Sequence, residues 1–389
     1  CREAEKSSPQ RSFLQQALLP FALLWLLKVR VNIGEIVVLI LMLLLLSSIT
    51  NLPDVDNYEL SYRLLLDRGE PGFLAVESFF SSVNFSFYQF YMVCHVACLM
   101  IVFLCIKLMS FDGTKCLLIY AFYPFILDVI QIRNALFMAL ALFAFTICSY
   151  CKNRIIECVV WITFVLLAST IHYSAYAYLP AVFFWNKKSL NLKLPMVMGV
   201  LTVFLILIDG SSLMLIMQRV FSFLDTFDTK YDGYMEKRSS LGGFLMMFKS
   251  ILMISIVWLA QKINVEFAVD GEKSIYLKIP YERIIGNTYG FLIYSSIFWP
   301  FYVISATFGR LMQNQLLLVY IVFFFLFKYG LLYKNSTEKK LKEDFLFKIT
   351  LLFVVLILVH CEWVWVDLWD YVIVCLVDNL KLLYVFRGA

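Results

Sequence analysis

The chain has 389 residues, 62% of them hydrophobic and 16% charged, with a formal net charge of +5. Soluble domains are about 45–50% apolar, so this balance excludes a soluble globular enzyme and points to a polytopic membrane protein. The basic residues are scattered through short loops, which suits topology setting and makes no case for nucleic acid.

Residues 1–12, opening CREAEKSSPQ, read as a processed tail or an expression remnant, and residues 13–389 as a single transmembrane domain. Apolar segments divided by turn signals and charges predict spans near 13–27, 32–50, 87–107, 116–130, 134–150, 155–171, 174–186, 194–209, 243–260, 284–304, 311–330 and 346–361. The predicted fold is therefore all-α with about twelve transmembrane helices, each crossing a hydrocarbon core of roughly 30 Å. Residues 116–150 are too long for one crossing, and their apolar run is interrupted by Asp128, Gln131, Arg133 and Asn134. They read as two spans meeting at a polar mouth with Arg133 near water. Every second loop is basic, which places those loops in the cytoplasm and the remaining ones outside.

Two outer segments, 51–84 and 210–242, are long enough to carry short amphipathic helices. In the first, Tyr58, Tyr62, Leu65 and Leu66 fall at helical spacing, Gly69 is a stop, and Pro71 starts a second helix after Glu70. The second mixes aromatic and charged residues, among them Lys230, Tyr231, Tyr234 and Arg238, as a lid or acceptor platform would. The ten cysteines lie mainly inside apolar runs and give no disulfide framework.

Several polar groups stand out against this background. Asp54 and Asp56 follow a span and suit general-base work or hydrogen bonding to hydroxyls better than metal binding. Arg133 and Arg310 are outward-facing arginines, against the positive-inside bias, and two guanidiniums on one face could clamp a diphosphate. His172, one of three histidines, lies between two apolar runs as a candidate proton carrier, with Tyr173 and Ser174 beside it. Asp54, Asp56, Arg133, His172 and Arg310 are the catalytic candidates. Tyr58, Tyr62, Glu70, Gln131, Asn134 and Ser174, with Lys230, Tyr231, Tyr234 and Arg238, are the substrate-binding candidates. No metal site is expected, and no GxGxxG, Walker motif or soluble nucleotide-binding domain is found.

The order of these motifs carries a resemblance. D-x-D-x-Y at Asp54–Tyr58, E-P-G-F from Glu70, I-R-N-A-L around Arg133, I-H-Y-S-A around His172 and F-G-R ending at Arg310 resemble the EpsG-like polysaccharide polymerases, relatives in role of the Wzy O-antigen polymerases. The resemblance implies a glycosyltransferase-type enzyme of the bacterial inner membrane whose site faces the periplasm or exterior. Its expected substrate is undecaprenyl-diphosphate-linked oligosaccharide, joined into O-antigen, capsule or exopolysaccharide with no cofactor. Membrane lipid, a chain-length regulator and a flippase are the expected companions. The alternatives are a lipid-linked oligosaccharide flippase, an O-antigen ligase and a polysaccharide acyltransferase.

Overall fold

The computed structural model describes residues 31–48, 55–66, 69–110, 112–185, 192–207, 240–262, 280–303, 306–332 and 347–360. These are helical, with no strand among them. They fall into two compact units, the first within Cys1–Cys148 and Val159–Tyr176, the second within Ser149–Cys158 and Ala177–Glu362. The expected span at 13–27 and residues 210–239 of the outer segment 210–242 lie outside the described residues, as does Asp54.

The first unit contains α1 (Ile33–Ser48), α2 (Val55–Leu64), α3 (Pro71–Ser82), α4 (Phe87–Met109), α5 (Gly113–Phe122), α6 (Phe125–Ile130), α7 (Ile132–Tyr150, up to Cys148) and most of α8 (Arg154–Ile171). Local chemistry explains where these helices begin. Asn32 and Glu35 cap α1 reciprocally: Asn32 Oδ1 accepts from the Glu35 amide at 2.8 Å, and Glu35 Oε2 from the Asn32 amide at 3.0 Å. The same buried carboxylate receives Lys107 Nζ at 2.9 and 3.1 Å, which joins the start of α1 to the end of α4. Ser86 and Gln89 form a second capping box at the start of α4. The predicted span 116–130 is divided into α5 and α6 at Pro124, whose missing N–H and ring cannot continue a helix.

The second unit contains a 3-10 helix (Tyr173–Phe184, from Ala177 onward), α9 (Lys193–Leu207), α10 (Ser240–Lys262), α11 (Tyr281–Ser295), α12 (Trp299–Tyr302), α13 (Arg310–Gln313), α14 (Leu316–Leu332) and α15 (Phe347–His360). Within it α10 packs against α11, α12 and α14. At the start of α8, buried Glu157 Oε2 pairs with Arg154 Nη1 at 2.7 Å and lies 3.4 Å from Arg283 Nη2, while Oε1 accepts from Asn287 Nδ2 at 3.3 Å.

Five stretches among the described residues are long and apolar enough to cross a membrane: Phe87–Met109, Ile132–Tyr150, Arg154–Ile171, Gly242–Gln261 and Arg310–Lys328. Four shorter apolar helices, Ile33–Leu46, Gly113–Phe122, Lys193–Leu207 and Phe347–His360, accompany them. The all-helical membrane architecture is thus as expected, and of the expected spans five stretches among the described residues reach full length. The expected span 284–304 is interrupted by a 3-10 turn at Ser296–Phe298 between α11 and α12, with Pro300 in the first turn of α12, and the expected span 174–186 is the 3-10 helix rather than an α-helix.

Such a run of 12 residues is unusual, because 3-10 stretches longer than three or four residues are uncommon. Pro180 sits inside it. In a 3-10 ladder the residue-180 amide would donate to the Ala177 carbonyl, and proline has no amide hydrogen. Tyr294 OH, from α11, donates to that carbonyl instead, at 2.6 Å. At the far end Arg154 Nη2 donates to the Val182 carbonyl, and Gly290 leaves room for the Phe184 carbonyl, which a Cβ would approach to 2.2 Å. Tyr294→Phe should therefore orphan a carbonyl and lower stability by about 1–3 kcal/mol, read as a lower melting temperature of the purified protein in lipid nanodiscs.

Candidate active site

The site is built around the residues that lead into α3. Gly69 adopts φ +79°, a left-handed conformation that suits glycine. Pro71 then occupies the first position of α3, where its fixed φ is already helical and an amide hydrogen is not needed. Glu70, between them, precedes the helix and is 5% exposed.

Its carboxylate gathers three donors from elements remote in sequence. Arg133 Nη1, in the first turn of α7, donates to Oε2. His172 Nδ1, just beyond α8, lies 2.9 Å from Oε1, and the Tyr173 amide donates to the same oxygen at 3.3 Å. Tyr173 OH donates in turn to the Gly69 carbonyl. The Arg133 guanidinium carbon lies 5.4 Å from the ring centroid of buried Tyr58, within cation–π range. Phe137 sets its edge against the His172 ring, with centroids 6.4 Å apart.

These contacts define the protonation pattern. A carboxylate only accepts, so Nδ1 of His172 carries the hydrogen and, in the neutral ring, Nε2 is the basic atom. Burial acts to raise the pKa of Glu70, but the hydrogen bond from His172 and the charge and hydrogen bond of Arg133 outweigh it, and the carboxyl is held below its ordinary value of 4.5. A lowered carboxyl pKa stabilises the fold fully above the unfolded value and progressively less as pH falls through the folded one. The Glu70 contribution is therefore constant at neutral pH and is lost below 4.5. Arg133 keeps one donor in hand: its Nε is buried and makes no hydrogen bond among the described residues.

Close helix contact sets the spacing of the pair. A Cβ on Gly72 would fall 2.1 Å from Thr170 Oγ1, 2.8 Å from its Cβ and 3.0 Å from its carbonyl carbon. Gly72 is two residues past Glu70 and Thr170 two before His172. Gly72→Ala should therefore push α3 from the end of α8 and lengthen the Glu70–His172 hydrogen bond, at a cost of about 1–3 kcal/mol. Thr170→Ala removes only the nearest of those atoms, so the double variant should recover part of the loss. A double-mutant cycle on melting temperature measures that coupling.

Tyr58, Glu70, Arg133 and His172, named from sequence, are thus brought together in the first unit. The other named residues are placed differently. Asp56 is exposed in the first turn of α2. Tyr62 is buried, donates to the Phe85 carbonyl at 2.8 Å and stacks on Phe90, so it packs α2 onto α4. Gln131 ends α6 and its carbonyl accepts from the Ala135 amide, while Asn134 is buried within α7. Ser174 is half-buried in the 3-10 helix. Asp128 does not stand at a mouth: it is buried and accepts from Tyr120 OH at 2.8 Å. Arg310 is exposed at the start of α13, in the second unit. Lys230, Tyr231, Tyr234 and Arg238, like Asp54, lie outside the described residues. Sequence reasoning missed Gly72 and the main-chain role of Tyr173; the small residue directly after Pro71 was the available signal for the first.

Comparison with known proteins bears on what this site serves. No curated protein and no solved structure matches the chain. The profile of the EpsG family matches residues 35–372, a stretch that includes all four clustered residues. With its apolar helices and this match, the chain is a membrane protein that belongs to the EpsG family, the EpsG- and Wzy-like polysaccharide polymerases.

Proposed function

We propose that the protein joins undecaprenyl-diphosphate-linked oligosaccharide repeat units into O-antigen, capsule or exopolysaccharide at the outer face of the bacterial inner membrane. In this reading the chain crosses the membrane about twelve times. Family membership supports polymer synthesis in general. The observation that carries the chemistry is the pairing around Glu70, which leaves a basic Nε2 on His172 and an unengaged Nε donor on Arg133.

A hydroxyl oxygen of the incoming repeat unit attacks the anomeric carbon of the donor glycan. The bond from that carbon to the diphosphate oxygen breaks, and its electron pair leaves with the lipid diphosphate. His172 Nε2 takes the hydroxyl proton, while Glu70 holds the ring in the required tautomer and steadies the imidazolium that forms. Arg133 donates to the diphosphate oxygens as charge develops on them. The donor is already activated as a diphosphate, so this route calls for no cofactor.

The test is reconstitution of the purified protein in liposomes with lipid-linked repeat unit taken from a strain lacking the gene. A ladder of longer glycans with release of polyprenyl diphosphate is expected. Passage of the repeat unit across the bilayer without elongation would favour the flippase reading, and transfer of an acyl group the acyltransferase reading.

A further inference from the structure

We propose that Tyr173 and Tyr176 form a stacking platform for the sugar rings of the glycan handled at the Glu70–Arg133–His172 site; this rests on the polysaccharide reading above. In a 3-10 helix, side chains three residues apart eclipse one another, with a rise of about 6 Å per turn. The two rings follow that rule: their centroids are 6.4 Å apart and their planes within 18° of parallel. Each is 50% exposed, whereas Tyr178 and Trp185, further along, are buried. The pair is an open ladder of aromatic faces.

The ladder begins at the reactive groups. Tyr173 follows His172 directly, its amide donates to Glu70 Oε1, and its hydroxyl is held by the Gly69 carbonyl. Those two bonds fix where its ring stands relative to the carboxylate. Tyr176 is one turn further out, and its hydroxyl makes no hydrogen bond among the described residues. A pyranose presents a face of C–H groups that packs on an aromatic face while its hydroxyls stay wet. Two parallel rings at this separation offer successive supports to neighbouring sugars of one chain. An aromatic belt residue at the lipid headgroups would need no such tie to a buried carboxylate.

The experiment uses the full chain in lipid nanodiscs and, as probe, the oligosaccharide released by mild acid from the lipid-linked pool of a strain lacking the gene. Saturation-transfer NMR and calorimetry read binding. Tyr176→Ala should weaken it about tenfold, roughly one aromatic contact. Tyr176→Leu, which keeps an apolar side chain, should fail similarly, and Tyr176→Trp should restore binding. Wild-type affinity in both ring-less variants, or no saccharide binding by the wild type, would overturn the platform. Unchanged saccharide affinity with a lowered melting temperature in lipid would also overturn it and assign Tyr176 to the headgroup belt. Elongation assayed on the same preparation separates the two ideas. A wild type that binds but never elongates refutes the polymerase and leaves the platform standing; one that elongates while Tyr176→Ala binds normally does the reverse.

Discussion

Glu70→Gln is expected to cut polymer formation by about two orders of magnitude or more. Glutamine keeps the size of glutamate but has one acceptor oxygen where the site needs two, for Arg133 on one side and for His172 with the Tyr173 amide on the other. If its oxygen turns to His172, its NH2 group meets the Arg133 donors. If it turns to Arg133, the NH2 group faces Nδ1–H and favours the tautomer with the proton on the wrong nitrogen. Breaking a buried pair from one side also strands the remaining charge, which costs about 3 kcal/mol in a site where Arg133 is itself only partly exposed. Glycan ladders in a strain lacking its own gene, with membrane levels of each variant checked alongside, provide the measurement. The stability difference between wild type and Glu70→Gln should be constant near neutral pH and shrink below 4.5, as protonation removes the wild-type charge. A difference that grew on acidification would refute the pairing.

Arg133→Lys should be nearly as damaging as Arg133→Ala. The guanidinium divides its work: Nη1 bonds Glu70, the planar group lies over Tyr58, and Nε faces a buried position where it has no hydrogen bond among the described residues. A lysine ammonium is a single point of charge. It can satisfy Glu70 or reach a phosphate oxygen, but it cannot hold both directions at once in one plane. Both variants should lose about tenfold to a hundredfold in ladder formation at equal membrane level, with Lys the better folded. A lysine variant with normal ladder length would remove Arg133 from the leaving-group role and reduce it to an anchor for Glu70.

The beginnings and ends of the helices were legible where single residues dominate. Pro71 was read correctly as a start, because a fixed φ is a property of one residue, whereas the helix expected to stop at Gly69 already ends at Leu64, with Leu65 at φ +47°. The division of residues 116–150 before Arg133 followed from their length and from the polar interruption between Asp128 and Asn134. The 3-10 stretch was not legible: its apolar run predicts an α-helix, and its geometry depends on Tyr294, more than a hundred residues away, supplying the donor that Pro180 lacks. The partners of Glu70 were hidden for the same reason. They lie 63 and 102 residues along the chain, and periodicity carries no information across such distances. Arg133 and His172 could be named from their setting, but not that one carboxylate holds both.

Two of the ion pairs within the first unit have an electrical consequence. Glu70 with Arg133 sums to zero charge, as does Glu35 with Lys107. Carrying one elementary charge through the bilayer field is worth about 2.3 kcal/mol per 100 mV, and a closed pair moving as a unit carries none. Membrane voltage therefore exerts almost no net force on either closed pair. Glycan joining there should therefore run at the same rate in energised vesicles and in vesicles whose potential has been collapsed by an ionophore, drawing its driving force from the substrate's diphosphate bond alone.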